Sequence, residues 1–494
     1  MRLGFVWAVL LAWPVAGPAV GATADLRIAH VTIVSPERKA PLQNATVTVR
    51  DGRIAAITTG SVPADAITTL DGKGLYLTPG LIDSHVHLGG VPGMNDEQEK
   101  KHPDIVRAMG AQAPRSFLLH GFTTLVSLFS TPKEVARWKT QPIVPDAYFC
   151  GGAALMDGYP LSFIPKPARY TIMPYMLIEP GQKAPPGIDP RQHTLQAVVA
   201  RMKKDGAICV KTAYESGFGP MKNLPVPKLE TIRELVRAAH AQGLPVMLHA
   251  NSADAHRFGL EAGVDVMVHG IWNGAKGVPD SEQDAAIRKT LDGVIAKKIG
   301  WQPTIQVLYG ERDLFKPEYL SSKELAQVFP SNLLAWYRTQ EGQWFHDMLA
   351  ANMPKGGDPK ATQAKVEKVY AGPIRQVTEA TRYLATHGGR LLFGTDTPSA
   401  PTYANPPGLN GWLEMNNYVE AGVTPAQIFQ AATLSNARAL KLEREIGTVE
   451  VGKRANLLLL RQDPTRTIQA WRGIEKVILG GRVLNPAELA ANRR

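Results

Sequence analysis

The two ends of the chain share a pattern of alternating apolar and polar residues. The segment ATVTVRDGRIAAITTG at 45–60 alternates and contains Asp51-Gly52, a dipeptide typical of a tight hairpin turn. Near the other end, IGTVEVGKRANLLLLRQDP at 446–464 and IEKVILGGRVLN at 474–485 are again short β-type runs with glycine turns. We therefore predict a small composite β-sandwich domain built from residues 25–79 and 441–487.

The middle of the chain, residues 80–440, alternates apolar strand-like runs with helical patterns. Eight strands alternating with helices are typical of a parallel (β/α)8 barrel, so the predicted fold class is α/β with a TIM barrel. Residues 275–385 are longer than one crossover needs, and we predict that they form a helical lid or insert over the barrel mouth. The eight predicted strands are LIDSHVH (81–87), TTLVSL (123–128), AYFCGG (147–152), AICVKTA (207–213), PVMLHAN (245–251), VDVMVHG (264–270), WQPTIQV (301–307) and LLFGTDT (391–397).

Residues 1–24 have the composition of a secretory signal peptide. One basic residue, Arg2, precedes an apolar run that ends in the small residues Ala22-Thr23-Ala24. We expect cleavage after Ala24 and an exported protein, periplasmic or secreted; an uncleaved membrane anchor is the alternative. No later run offers the ~20 apolar residues of a membrane span, so we expect no membrane association after cleavage.

Charge and cysteine content narrow the choice of partners. The chain of 494 residues has a formal net charge of +11, but its Lys and Arg residues are spread along the sequence, which argues against a nucleic-acid partner. We expect a small-molecule substrate, and a homo-oligomer stays open. Cys150 and Cys209 both lie in apolar runs, where we expect buried free thiols rather than a disulfide.

Histidines in the predicted strands point to a metal site. In a strand, residues two apart face the same way, so His85 and His87 share a face with Asp83. Four more residues that could bind a metal or carry charge lie late in other predicted strands. These are Lys211, His249, His269 and Asp396. The carboxyl ends of barrel strands meet at one mouth, so imidazoles and a carboxylate there predict a site for Zn²⁺ or a similar metal.

Lys211 allows two interpretations. A lysine late in a buried strand has a lowered pKa, and its neutral amine could react with CO₂ to give a carbamate that bridges two metal ions. The alternative is an ion pair with a carboxylate such as Glu215.

This set of residues resembles the amidohydrolase superfamily, in particular its prolidase- and dipeptidase-like and imidazolonepropionase-like branch. The resemblance covers nearly the whole chain after residue 24. It rests on the ligand order and on TPGLIDSHVH (78–87), GFTT (121–124) and GTVEVGKRANLLLL (447–460).

The resemblance implies roles for the candidate residues. His85, His87 and Asp396 would hold one metal ion, His249 and His269 a second, and a carboxylated Lys211 would bridge the two, which are expected to be zinc. Hydroxide held between the metals would attack the substrate, and Asp396 would act as general base. Asp83 would orient one of the histidines, with a role in a surface turn as the alternative.

The chain departs from prolidase-like relatives in one loop. CGGAALMDGYPLSF (150–163) lacks the histidine expected there to bind the substrate carbonyl. Tyr159 or Tyr214 could replace it, against the alternative that both tyrosines only pack. We expect His256 at the surface and His120 in a structural role.

The predicted function is hydrolysis of an amide or related C–N bond in a dipeptide, an N-acyl amino acid or a cyclic amide. A deaminase or cyclic amidase with one metal, and an inactive metal- or ligand-binding barrel, are the alternatives. Aromatic and basic residues of the insert, such as Tyr309, Arg312 and Trp336, suit a substrate with an apolar side and a carboxylate; the alternative is that they pack between helices.

Overall fold

The computed structural model describes residues 25–60, 66–164, 166–217, 222–316, 318–399 and 402–492. The proposed signal peptide therefore lies outside the described residues. The first part of the chain is a run of short strands, in which Asp51 and Gly52 take φ of +49° and +72° and make the expected tight hairpin turn. These strands are β1 (Leu26–Ile33), β2 (Leu42–Arg50), β3 (Arg53–Thr59), β4 (Thr68–Asp71) and β5 (Tyr76–Pro79).

A parallel eight-stranded sheet follows, and each of the eight predicted segments contributes one strand to it. Every strand pairs with its neighbours in sequence. The segment beyond the last strand returns to the first, because the His87 N–H donates to the Thr397 carbonyl (2.8 Å) and the Asp396 N–H to the His85 carbonyl (2.8 Å). The sheet is therefore barrel-like. Its strands are β6 (Leu81–Val86), β7 (Phe122–Ser130), β8 (Asp146–Gly152), β9 (Cys209–Ala213), β10 (Val246–His249), β11 (Val266–Val268), β12 (Gly300–Gln302) and β13 (Arg390–Leu391).

Helices follow the strands along the chain, and many of them pack on the sheet through a large apolar cluster. They are α1 (Asp96–Lys101), α2 (Pro103–Leu119), α3 (Pro132–Trp138), α4 (Lys166–Ile172), α5 (Leu195–Lys204), α6 (Leu229–Ala241), α7 (Ala253–Ala262), α8 (Asp280–Ala296), α9 (Gln306–Asp313), α10 (Leu325–Val328), α11 (Ser331–Tyr337), α12 (Trp344–Ala350), α13 (Pro359–Thr386), α14 (Leu409–Glu420), α15 (Pro425–Gln430) and α16 (Asn436–Ala439).

The predicted insert at 275–385 contains both regular and additional elements. Helix α8 connects β11 to β12 in the ordinary alternation, so the additional helices are those from α9 to α12. They form a second apolar core with α13 and with residues 91–109. Trp336 and Tyr337 are buried in this core, so these two aromatic residues pack between helices.

The strands of the C-terminal part join those of the N-terminal part. They are β14 (Leu457–Leu460), β15 (Ile474–Leu479) and β16 (Arg482–Leu484), followed by helix α17 (Pro486–Leu489). Strand β14 pairs antiparallel with β5, with Leu459 opposite Leu77. Strands of both chain ends thus lie in one eight-stranded sheet, while the sandwich and its boundaries stay predictions.

Two expectations about buried residues are wrong. Cys150 and Cys209 are not free thiols but form a disulfide, because they lie opposite each other on the paired strands β8 and β9. His256 is not at the surface: it is fully buried, its ring packs 4.6 Å from the Trp301 ring, and its Nδ1 lies 2.8 Å from the Ser252 carbonyl oxygen. Helix α7 presents this side of its first turn to the sheet.

Among the described residues, no helix has both the length and the apolar character that crossing a membrane requires.

Candidate active site

The carboxyl ends of five strands bring the predicted ligands to one end of the sheet. His85 lies in β6 and His87 directly after it, Lys211 lies in β9, and His249 is the last residue of β10. His269 directly follows β11, and Asp396 lies five residues beyond β13. Side chains that are far apart in sequence meet here because parallel strands end at the same edge.

Asp396 is the centre of this cluster. Its Oδ1 lies 2.9 Å from Nε2 of His85 and 3.0 Å from Nε2 of His87, and its Oδ2 lies 4.0 Å from Nδ1 of His269. His85, His87 and Asp396 offer ligand atoms within 4.8 Å of one another, a spacing that one metal ion could bridge. This donor set of imidazoles and a carboxylate fits a divalent metal such as zinc.

His249 and His269 form a second pair beside the first. Their ring centroids are 4.5 Å apart. Nε2 of His249 lies 3.1 Å from Oε2 of Glu215, and Nδ1 of His269 lies 2.8 Å from Oγ1 of Thr304. A hydrogen bond at one ring nitrogen fixes the orientation of the ring, as is common for histidines that bind a metal through the other nitrogen.

Burial favours the neutral form of His85, His249 and His269. It lowers the pKa of His85 to about 3 even though Asp396 opposes the shift. Burial also lowers the pKa of His249, against the effect of Glu215, and that of His269, where the neighbouring His249 adds to the shift. Burial alone would raise the pKa of Asp396, but the histidines, His85 above all, hold it well below its usual value. Neutral imidazoles and an ionised carboxylate are the forms that bind a metal.

Lys211 is buried in β9, with its Nζ 6.0 Å from the centre of the Phe129 ring. Its side chain is 1% exposed, and its Nζ has no hydrogen-bond partner within the described ranges. Burial lowers its pKa to about 7, with Asp396 opposing the shift. Burying an amine without a hydrogen-bond partner is costly. The unpartnered Nζ of Lys211 therefore fits a site in which a metal ion would bind and the lysine would be modified to a ligand.

Glu215 does not pair with Lys211, so that alternative is wrong. Its Oε2 binds His249 and accepts a hydrogen bond from Nδ2 of Asn251 (2.6 Å), and its Oε1 accepts one from the Gly217 N–H (2.7 Å). Burial would raise the pKa of Glu215, but the bond to His249 lowers it. Glu215 thus orients a candidate ligand.

Asp83 contacts backbone rather than an imidazole ring. Its Oδ1 accepts hydrogen bonds from the N–H groups of His85 (3.2 Å) and Thr395 (3.1 Å), and its Oδ2 accepts one from the Thr395 hydroxyl (2.6 Å). Burial raises its pKa to about 7. Asp83 therefore ties the backbone of β6 to the segment that carries Asp396.

The two candidate tyrosines differ in position. The Tyr159 ring lies 4.5 Å from the His249 ring, and burial raises the pKa of its hydroxyl. The Tyr214 ring instead packs 4.6 Å from the ring of Phe258. Tyr159 is thus the one that reaches the imidazole cluster.

Sequence reasoning assigned Glu215 to another partner and missed Thr304 and Trp272. Glu215 and Thr304 hold the rings of His249 and His269, and Trp272 lies 5.1 Å from the His269 ring. The Nε1 atom of Trp272 is buried and has no hydrogen-bond partner among the described residues. In the sequence, only their positions could have indicated these three residues, since each lies within a few residues of a strand end.

Comparison with known proteins supports the same assignment. The model of the amidohydrolase family matches residues 76–282 and 339–484, more than half of the chain. Imidazolonepropionase of Micrococcus luteus is 25% identical over 457 residues, 88% of this chain and 91% of that protein. Enamidase of Eubacterium barkeri is 30% identical over 227 residues, 44% of this chain and 47% of the relative.

Other matches cover part of a relative or share the fold at low identity. The chain spans between 21% and 51% of the length of four of the curated relatives that it matches. The structure of a Xaa-Pro dipeptidase with bound methionine in the active site has a TM-score of 0.64 at 20% identity, covering 94% of this chain and 100% of that one. At this identity the likeness concerns the fold.

The matched ranges include β6 to β11 with their histidines and lysine, the segment of Asp396, and strands of the shared sheet. From this agreement between sequence, fold and ligand positions, we conclude that the chain belongs to the amidohydrolase family.

Proposed function

We propose that this protein is a metal-dependent hydrolase that cleaves an amide or related C–N bond of a small molecule. The observation that carries the proposal is the Asp396 carboxylate, contacted by His85 and His87 and faced by His269 at the carboxyl end of a barrel-like sheet. We take this sheet to be a closed (β/α)8 barrel of residues 80–440, with residues 25–79 and 441–487 as the composite β-sandwich domain.

In this proposal five side chains and a carbamate would hold two zinc ions. His85, His87 and Asp396 would hold one, and His249 and His269, whose rings contact Glu215 and Thr304, would hold the other. Lys211, as the carbamate, would be the ligand that both ions share. When bound, the metal ions polarise the scissile carbonyl and lower the pKa of the attacking water.

The protein's own groups move the proton. Asp396 takes a proton from the attacking water and passes it to the nitrogen that leaves, because its carboxylate stays ionised beside the histidines and can therefore accept a proton. Tyr159 lies beside His249 and can donate a hydrogen bond to the substrate oxygen. It would take the place of the histidine missing from 150–163.

The substrate class follows from the family and stays broad. Dipeptides, N-acyl amino acids and cyclic amides are the candidates, and the names of the relatives, an imidazolonepropionase and a Xaa-Pro dipeptidase, fit this range. An aromatic and basic lid for a carboxylate receives little support, because Arg312 pairs with Asp313 (2.7 Å) and stacks 4.4 Å from the Tyr309 ring.

We also propose that the protein is exported and loses residues 1–24. The disulfide between Cys150 and Cys209 supports export, because such bonds persist in oxidising compartments and are rare in the cytosol.

Substitution of the general base tests the function. Asp396→Asn should lower kcat for amides by at least about 10³-fold, because the amide cannot accept the proton, while the melting temperature changes little. The screen uses dipeptides, N-acyl amino acids and lactams with zinc-loaded protein. Asp284→Asn, an exposed carboxylate on α8, is the matched control and should keep wild-type activity.

Metal analysis separates the alternatives. Two metal ions per chain support the proposal, one supports a mononuclear deaminase or cyclic amidase, and none supports a binding protein. Wild-type turnover by Asp396→Asn would show that another group is the base.

A further inference from the structure

Helix α9 carries an acidic residue that the mechanism above does not use. Glu311 lies in the interval 283–338, between the two ranges that the family model matches, so family membership assigns it no role. The helix begins four residues after β12 ends, which puts its start at the carboxyl ends of the strands, where the ligands meet.

Packing fixes α9 next to the segment that follows Asp396. The N–H groups of Ile305 and Gln306 donate to the Glu414 carboxylate (3.0 and 2.7 Å), which anchors the start of the helix on α14. One turn later, Gly310 contacts Asn405 so closely that a Cβ at this glycine would lie 2.1 Å from the Asn405 side chain. Glu311 is therefore held beside the chain that leaves Asp396.

The carboxylate of Glu311 is enclosed and lacks a cationic partner. It accepts a hydrogen bond from the Tyr370 hydroxyl of α13 (3.0 Å), and the ion pairs of the described residues do not include it. The neighbouring cation, Arg312, is committed to Asp313 and to the Tyr309 ring. Glu311 retains partial solvent access.

The surroundings of Glu311 disfavour its charged form. Burial raises its pKa to about 7 against the effect of the Tyr370 hydroxyl, and repulsion by the Asp396 carboxylate contributes to the rise. A carboxylate that is largely removed from water is stabilised by an opposite charge, and the ion pairs of the described residues supply none.

We propose that Glu311 binds a protonated amine of the substrate and so selects cationic amides, an inference that rests on the proposed hydrolase function. The amine can be the free N-terminus of a dipeptide or a basic side chain next to the scissile bond. A preference for cationic substrates is the opposite of the preference for a carboxylate that a basic lid would give.

Two pairs of compounds test the proposal and distinguish the sources of the amine. L-alanyl-L-norleucine is compared with N-acetyl-L-alanyl-L-norleucine, and N-acetyl-L-lysine with N-acetyl-L-norleucine; each pair differs in one protonated amine. In at least one pair, kcat/KM of the wild type should favour the cationic member about tenfold or more. Glu311→Gln should lower its kcat/KM by about 10- to 100-fold, since the amine then faces an uncharged group, and should change the neutral member by less than about twofold.

Controls separate this inference from the general function. Glu379→Gln, an exposed carboxylate on α13, should behave as wild type. Compounds that are not cleaved are compared by the rise that they cause in the melting temperature of the protein. In the wild type this rise should be larger for the cationic member of each pair. In Glu311→Gln the two members should cause the same rise. Cleavage of neutral amides without any preference for cations would overturn the role of Glu311 and keep the hydrolase. Binding of the cationic compounds without cleavage of any amide would overturn the hydrolase function and keep the role of Glu311.

Discussion

Two of the proposed ligands have a backbone conformation that residues other than glycine rarely adopt. φ is +57° at Asp396 and +77° at His269, and Thr304, which binds the His269 ring, has φ of +45°. Each such residue costs on the order of 1–3 kcal/mol and persists only where its surroundings fix it. Here the Asp396 N–H is bound to the His85 carbonyl. Three of the ten described non-glycine residues with positive φ thus belong to the cluster or contact it.

His120, a buried histidine outside the site, should make the free energy of unfolding depend on pH. As expected, His120 is structural: it is buried, and its Nδ1 lies 3.0 Å from the Ser116 carbonyl oxygen. Burial lowers its pKa to about 4. Above pH 6.5 both the folded and unfolded forms are neutral; below it, only the unfolded form takes up the proton until pH falls to about 4. His120 therefore reduces the free energy of unfolding as pH falls through this window.

The His120→Gln variant checks this sign. Between pH 7 and pH 5 its free energy of unfolding should fall by about 2 kcal/mol less than that of the wild type, as measured by urea denaturation. His387→Gln, at the exposed end of α13, should keep the wild-type dependence. Parallel curves for His120→Gln and the wild type would contradict the assignment.

At the scale of elements, the packing of helix α9 against the 402–408 segment depends on Gly310, which has no side chain. Gly310→Ala puts a Cβ 2.1 Å from the Asn405 side chain and 3.1 Å from the Ala404 carbonyl oxygen, so the helix or the 402–408 segment must shift. We expect a loss of about 1–3 kcal/mol in the free energy of unfolding and, because Glu311 moves with the helix, a weaker preference for cationic substrates.

Gly110→Ala on α2 is the control for helix propensity. This glycine is exposed and has open space around its Cβ position, so alanine should stabilise the protein by about 0.5–1 kcal/mol. A stabilising effect of Gly310→Ala in the same thermal melts would show that the contact with Asn405 yields freely.

The strands show which features of an element are local. The alternation in LIDSHVH predicts both the strand and the shared face of His85 and His87, because a period of two follows from the backbone alone. The predicted strand at 391–397 is shorter in the structure, where β13 ends at Leu391. The rest of the predicted strand makes only scattered backbone hydrogen bonds with β6. These bonds depend on a strand about 300 residues earlier in the sequence.

At the scale of the whole molecule, the compartment can be tested through the N-terminus and the cysteines. Expressed in a bacterium from Met1, the protein should be recovered from the periplasm or the medium, and its mass should correspond to a chain that begins at Asp25. Both cysteines should resist a thiol reagent in denaturant and react only after reduction, because they form one buried bond.

The opposite results are as informative. A chain that keeps Met1 would contradict cleavage, and two thiols that react before reduction would contradict the disulfide. Cys150→Ala, which leaves a single thiol at Cys209, is the control that calibrates the labelling.

Much of the candidate site was predictable because strand ends in a barrel converge. The positions of His85, His87, Lys211, His249, His269 and Asp396 late in apolar runs indicate a common mouth without further information. The partners of these residues were not predictable. Glu215 was considered for Lys211 and binds His249 instead, because the choice depends on rotamers and on spacing between β9 and β10.

The sequence by itself determined the alternation of strands and helices, the two β-rich ends and the order of the ligands, since these follow from hydrophobic periodicity and residue type. Only the tertiary structure decided what lies across a gap in sequence: the Cys150–Cys209 bond, the burial of His256, the lack of a hydrogen-bond partner for Lys211 and the position of Glu311 on a helix that packs on the segment after Asp396. Periodicity describes one element at a time, whereas contacts between elements depend on how side chains of different strands and helices fill the space they share.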